Sequence, residues 1–226
     1  MDEANQPTEA KAERRSYGIE VITAIVLGLA TVGAAFAGYQ SSLYGGESLD
    51  NYNIGVAKVS ESNAKVLEAS QGYTFDMITW MEWESRTISA EKQDGAQAKI
   101  DGEIAQAIED DFMEERLKDA LKWSSAETIK TKKFVHPTES PEYAMQLFGE
   151  SFELQESSKK AIDDARRANR TGDQFTLTTV LFTIVLFFGG IATVFRHVPV
   201  KLAMLVLSVA LLGVTAVKLF SLPFAG

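Results

Sequence analysis

The sequence predicts an all-α membrane protein: three transmembrane helices, with a long helical insert, coiled-coil-like or bundled, between the first two. Apolar runs at 19–39, 175–195 and 202–220 each approach the roughly 20 residues that cross a bilayer's hydrocarbon core. Between the first two runs lies a polar stretch of more than half the chain, and its apolar residues recur at helical rather than strand spacing. The resulting division is a disordered cytoplasmic tail at 1–17, spans at 18–40, 174–196 and 202–222, the insert at 41–173, and a short turn at 197–201.

Charge follows the same division. Residues 41–173 hold 26 Asp and Glu against 16 Lys and Arg, a net of −10, while the rest of the chain is at +1. An acidic insert is unsuited to nucleic acid, whose backbone requires clustered Lys and Arg. It is also repelled by anionic headgroups. There is no cysteine, so disulfides, thiolate metal sites and cysteine nucleophiles are excluded. His136 and His197 are the only histidines, too few for most zinc sites.

The tail at 1–17 is polar and ends near Arg14-Arg15. A charged flank before an apolar run also describes a signal peptide, and Ala35-Phe36-Ala37 offers a cleavage pattern. The run is longer than a signal core, so an uncleaved anchor is expected. Its small residues Ala30, Ala34 and Gly38 step by four, flanked by Gly33 and Ala37. Such a stripe lets two helix backbones approach in lipid. Glu20 lies one turn inside the span and is expected to reach the interface.

Gly45-Gly46 is expected to break or bend the chain. Beyond it, 49–92 reads as one helix through Gly72, with Val59, Val66, Tyr73 and Trp80 repeating every seven residues. Leu67, Met77, Ile78, Met81 and Trp83 widen this stripe into a packing face. Asp94-Gly95 signals a turn. A second helix is expected over 96–123, carried by Ile100, Ile104, Ile108 and Phe112, with solvated acids opposite. Residues 124–139 read as irregular. Ser140-Pro141 then opens a third helix, Ser as cap and Pro in its first turn, with a seam of Tyr143, Leu147, Leu154, Ala161, Ala165 and Ala168. A helix folded back at Gly72 to give a four-helix bundle is the alternative.

The second span is rich in Phe and Thr, and its threonines can bond their own helix carbonyls. A turn containing Pro199 makes the second and third spans a hairpin, and Lys218 is expected to snorkel. Basic residues near the spans are balanced: Lys11, Arg14, Arg15, Arg196 and Lys201 on one side, Lys159, Lys160, Arg166, Arg167 and Arg170 on the other. The N-terminal flank of the first span breaks the tie. It places the N-terminus and the 197–201 turn in the cytoplasm and the insert outside.

The end of the first span, Ala35-Phe36-Ala37-Gly38-Tyr39-Gln40-Ser41-Ser42, and the entry to the second, Ala168-Asn169-Arg170-Thr171-Gly172-Asp173-Gln174 with the following Leu-Phe runs, resemble a group of bacterial three-span membrane proteins of unknown function. The resemblance covers only these membrane-proximal edges. It implies this topology and a bacterial inner membrane, and brings no activity or catalytic residues.

The functional expectation is a non-enzymatic membrane protein whose insert is a stalk or docking surface, for a partner protein of the membrane or periplasm or for further copies of the chain. The alternative is a homo-oligomeric channel or tension-responsive pore. No catalytic constellation or cofactor site is recognised. Trp80, Trp83 and Trp123 are docking anchors or core. Gln40, Asn169, Arg170 and Asp173 stand where insert meets membrane, and hydrogen bonding there among Gln40, Asn169 and Asp173 would fix the helix directions.

Overall fold

The computed structural model describes residues 6–195 and 197–225, with side chains from Tyr17 onward. The expectations for residues 1–5, Arg196 and the side chains of Lys11, Arg14 and Arg15 lie outside the described residues. The order is α1 (Gln6–Lys92), α2 (Ala96–Asp111), α3 (Glu115–Thr131), a 3₁₀ turn (Pro137–Glu139), α4 (Pro141–Val194) and α5 (Val198–Ser221), with no strand among the described residues. Three helices, α1 from Tyr17, α4 and α5, are long and apolar enough to cross a membrane.

Several expectations change. Gly45-Gly46 does not break the chain; α1 runs through it and through Gly72. Each interior glycine costs about 1 kcal/mol relative to alanine. Packing on α4 on either side of the pair offsets that cost: Ser41 and Tyr44 abut Gly172, and Ser158 bonds the Gly55 carbonyl. α1 also begins at Gln6, inside the segment read as a disordered tail. The insert has no helix ends of its own at the spans, since α1 and α4 each carry an apolar run and insert sequence in one helix. α5 starts at Val198, with Pro199 in its first turn, so Lys201 lies within the helix rather than in a turn.

The expected helix over 96–123 is two helices. Phe112 and Met113 both donate to the Ile108 carbonyl, and Glu114 is extended. The reason is the direction of burial. Asp101 and Ala105 are the buried residues of α2, and Leu117, Ala120 and Ser124 those of α3. At 3.6 residues per turn an unbroken helix would set Ala105 and Leu117 about 120° apart. The break re-aims the second half. Three acids at the end of α2, Glu109, Asp110 and Asp111, disfavour its continuation at the negative end of the helix dipole. Phe112, expected on the packing face, is exposed. The turn at Asp94-Gly95 is present, with Gly95 at φ 82°, a left-handed conformation that glycine adopts without strain. Ser140 caps α4, its Oγ accepting the Tyr143 N–H at 3.4 Å.

The chain forms two compact units, Met1–Asn53 with Ile162–Gly226, and Ile54–Ala161. In the first, α1, α4 and α5 pack along seams spaced alternately by three and four. These are Ile19, Thr23, Val26, Ala30, Gly33, Ala37 and Gln40 on α1; Phe175, Thr178, Phe182, Val185, Gly189 and Ala192 on α4; and Lys201, Leu205, Ser208, Leu212, Thr215 and Leu219 on α5. That period keeps one face of each helix turned towards its neighbours. Two glycines admit neighbours. A Cβ on Gly33 would lie 2.5 Å from the Phe182 ring, and one on Gly189 would lie 2.9 Å from Leu27 Cδ2 and 3.1 Å from Ser208 Oγ. Ser208 Oγ donates to the Val185 carbonyl at 3.0 Å, tying α5 to α4. Glu20 pairs with Lys201 Nζ at 3.2 Å, and Lys218 Nζ donates to Gln174 Oε1 at 3.1 Å.

In the second unit the packing face differs from the apolar one. The buried α1 positions are Gly55, Ser62, Ala69 and Asp76, a seven-residue repeat of small and polar side chains, and Thr79 one turn beyond it. Opposite them on α4 lie Tyr143, Ser151, Ser158 and Ala161. Ser62 Oγ donates to the Ser151 carbonyl at 2.9 Å, and Ser158 Oγ donates to the Gly55 carbonyl at 2.7 Å. Small residues let each backbone come within reach of the other helix's hydroxyls. The stripe read as the packing face, Val59, Val66 and Tyr73, sits on the rim at 40%, 41% and 39% exposure.

Candidate functional site

Two places stand out, one in each unit. The first is the junction at the C-terminal end of the first apolar run. The small-residue stripe leads to it. Ala30 and Ala37 are fully buried, Gly33 and Ala34 half-buried, and Gly38 exposed with open space at its Cβ position. Beyond them α1 and α4 meet backbone to backbone: a Cβ on Gly172 would lie 3.4 Å from the Ser41 carbonyl and 3.4 Å from Tyr44 Cβ. Ser41 Oγ donates to the Gly172 carbonyl at 3.0 Å and lies 2.8 Å from Thr176 Oγ1.

The structure does not bring Gln40 to Asn169 or Asp173. Gln40 is buried and pairs with Ala225, beyond α5. Asn169 Nδ2 donates to Asp173 Oδ2 at 3.3 Å, one turn along its own helix. Arg170 is exposed and lines a shallow hollow with Ser48, Tyr52, Ala165, Arg166 and Asn169. The pairing of Gln40 with the segment after α5 had no signal in the sequence, because that segment has no helical periodicity.

The second place is the face of Ile54–Ala161. One side of its α1–α4 pair is covered by α3. There Asp76, fully buried, accepts from Arg116 Nε at 2.8 Å, Arg116 Nη2 at 3.2 Å and the Tyr143 hydroxyl at 2.9 Å. Gly72 makes room, since a Cβ there would lie 3.3 Å from Arg116 Nη2. Burial, and then the Asp76 carboxylate, push the Tyr143 phenol well above its ordinary range. Beside this knot is a polar pocket of about 300 Å³ lined by Lys65, Glu68, Gly72, Arg116, Gln146 and Glu150. Lys65 bridges Glu150 and Glu68 across it at 3.1 and 3.3 Å, and those carboxylates raise its pKa, Glu150 first. α2 is held by a second knot. Asp101, buried, accepts from Ser89 Oγ at 2.7 Å, Arg86 Nη1 at 3.0 Å and Gln97 Nε2 at 3.3 Å. These bonds, Ser89 first, hold its carboxyl below the usual range.

The helical register puts Val59, Val66, Tyr73 and Met77 of α1 on the far side of the seam from α3. Met145, Phe148 and Phe152 of α4 fall on that same side, with Phe148 and Phe152 stacked 6.3 Å apart. Leu67 and Met81 flank this face at 61% and 64% exposure. Trp80, Trp83 and Trp123 are each half-buried. Trp80 meets the ring of His136, in the loop before α4, edge-on at 4.7 Å.

Comparisons with protein-family models, with curated proteins and with solved structures give no match to this chain.

Proposed function

We propose that the protein is a non-enzymatic integral membrane protein whose helical insert docks a second protein surface, either a further copy of this chain or a membrane or periplasmic partner. The uncovered apolar face of α1 and α4 in Ile54–Ala161 carries this reading: Val59, Val66, Leu67, Tyr73 and Met81 with Met145 and Phe152. Contiguous exposed apolar residues on a water-facing domain mark interaction surfaces, and the unit holds itself together through a separate seam. Heptad spacing on α1 suits a helical partner. The N-terminus and the turn before α5 lie in the cytoplasm in this proposal, with the insert outside a bacterial inner membrane. The pore alternative gains no comparable support. The buried hydroxyls Thr23, Thr178, Ser208 and Thr215 all donate to backbone carbonyls inside one three-helix unit.

The test is oligomeric state in mild detergent, paired with cross-linking in intact membranes and mass spectrometry of the adducts. Docking predicts cross-linked species that map to this face. Recovery of monomeric, uncross-linked protein alone contradicts it.

A further inference from the structure

The residues after α5 are seated as a ligand would be. Leu222 is extended, at φ −86° and ψ 147°, and the chain turns back over the junction of α1 and α4. Gln40, at 4% exposure, reads one residue of this segment twice: its Nε2–H donates to the Ala225 carbonyl at 3.1 Å, and its Oε1 accepts the Ala225 N–H at 2.8 Å. A carboxamide offers one donor and one acceptor side by side, the pattern that the edge of a β-strand presents to an added strand. The Tyr44 hydroxyl donates to the Pro223 carbonyl at 3.0 Å. Tyr44 is itself held by stacking on Phe175, with centroids 5.8 Å apart and planes at 17°.

Between these main-chain contacts one side chain anchors the segment. The Phe224 ring lies 5.3 Å from Phe36, edge-on, and 6.2 Å from Phe175. Pro223 brings no N–H that would need an acceptor. With the segment seated, both polar atoms of the buried Gln40 amide are satisfied.

We propose that Gln40, Tyr44, Phe36 and Phe175 form a recognition site for an extended, uncharged peptide segment of the order apolar-Pro-aromatic-small, which the chain keeps filled with its own residues 222–225. The site reads backbone through Gln40 and Tyr44, and takes its selectivity from the aromatic anchor and the proline. Its affinity for an outside segment is reduced by the fraction of molecules in which the resident segment occupies it. Weakening the resident segment therefore opens the site to an equivalent one supplied in trans.

The test uses the full-length protein in detergent micelles and a blocked, dye-labelled peptide of residues 221–225, with a control peptide in which the Pro and Phe are replaced by Ala. The Phe224→Ala protein binds the peptide at least about ten-fold more tightly than wild type, and does not bind the control. In that background Gln40→Ala abolishes binding. Tyr44→Phe, which keeps the ring stack and loses one hydrogen bond, weakens it about five-fold. A photo-reactive phenylalanine analogue in place of Phe224 cross-links within its own chain to residues 36–44. Equal peptide affinity for wild type and Phe224→Ala overturns the proposal, as does binding that survives Gln40→Ala. Absence of any cross-link from position 224 to residues 36–44 overturns it independently of whether the variants fold.

Discussion

Replacing Asp76 by alanine tests how the second unit is held. Asp76 is the shared acceptor for Arg116 and the Tyr143 hydroxyl. Its removal leaves the phenol of Tyr143, a residue only 3% exposed, with no acceptor, and a stranded buried donor costs about 1–3 kcal/mol. Arg116 loses two charge-assisted bonds, but its side chain is 24% exposed and keeps water within reach, so its share is about 1 kcal/mol. Asp76→Ala should therefore destabilise the unit by about 2–4 kcal/mol. Tyr143→Phe leaves Asp76 its two bonds to Arg116 and should cost about 1 kcal/mol. The double variant should be less destabilised than the sum, because the stranded hydroxyl is gone. All three tryptophans, Trp80, Trp83 and Trp123, lie in this unit. Denaturant unfolding of the full chain in detergent, followed by tryptophan emission, thus reads the unit alone. A wild-type midpoint for Asp76→Ala, or strict additivity in the double variant, would refute the reasoning.

Four further outcomes follow from the same geometry. The folded state holds the Tyr143 proton more tightly than the unfolded chain does, so its contribution is present below pH 10.0 and lost as pH rises above it; the alkaline loss of tryptophan-monitored stability should shrink in Tyr143→Phe. Asp101 has the opposite sign: its depressed carboxyl stabilises fully above pH 3.8, and the contribution fades as pH falls through the lower folded value, a slope that Asp101→Asn should flatten. In the three-helix unit Gly33→Ala drives a methyl into the Phe182 ring and should cost about 1–3 kcal/mol, whereas Gly38→Ala meets nothing and should be neutral or mildly stabilising; thermal aggregation in detergent separates the two. Gly45→Ala and Gly46→Ala, both open at Cβ within a continuous helix, should each stabilise by about 0.5–1 kcal/mol, seen as slower amide exchange across 41–50.

Some of this was legible in the sequence. Apolar length gives the three helices long and apolar enough to cross a membrane, because crossing a bilayer sets a minimum that few soluble helices meet. Asp94-Gly95 and Ser140-Pro141 are short-range signals whose chemistry is local, and both are where the residue types place them. The packing face of the insert was misread for a specific reason. Two seven-residue repeats share α1, Val59-Val66-Tyr73-Trp80 and Gly55-Ser62-Ala69-Asp76, and a count of apolar residues selects the first. The second makes the contact, because hydroxyls and glycine allow bonds to a neighbouring helix's carbonyls that valine cannot make. Small residues repeating at seven, with serine and a lone aspartate among them, were the available signal. The two knots at Asp76 and Asp101 join residues from separate helices, and their pairing depends on the breaks at Gly95 and Glu114. The seat of Gln40 depends on four residues with no periodicity at all. In both cases the determining contacts are tertiary, so spacing along the chain does not encode them.

The central claim is that the uncovered face of α1 and α4 meets another protein surface. The most direct measurement is a scan of photo-reactive residues, one at a time, along 56–81 of the full-length chain in its native membranes, reading adducts of higher mass. The account predicts adducts at positions 59, 66 and 73, a seven-residue period, with none at the exposed polar positions 61 and 68. Adducts without that period, or none at any position on the face, would contradict it.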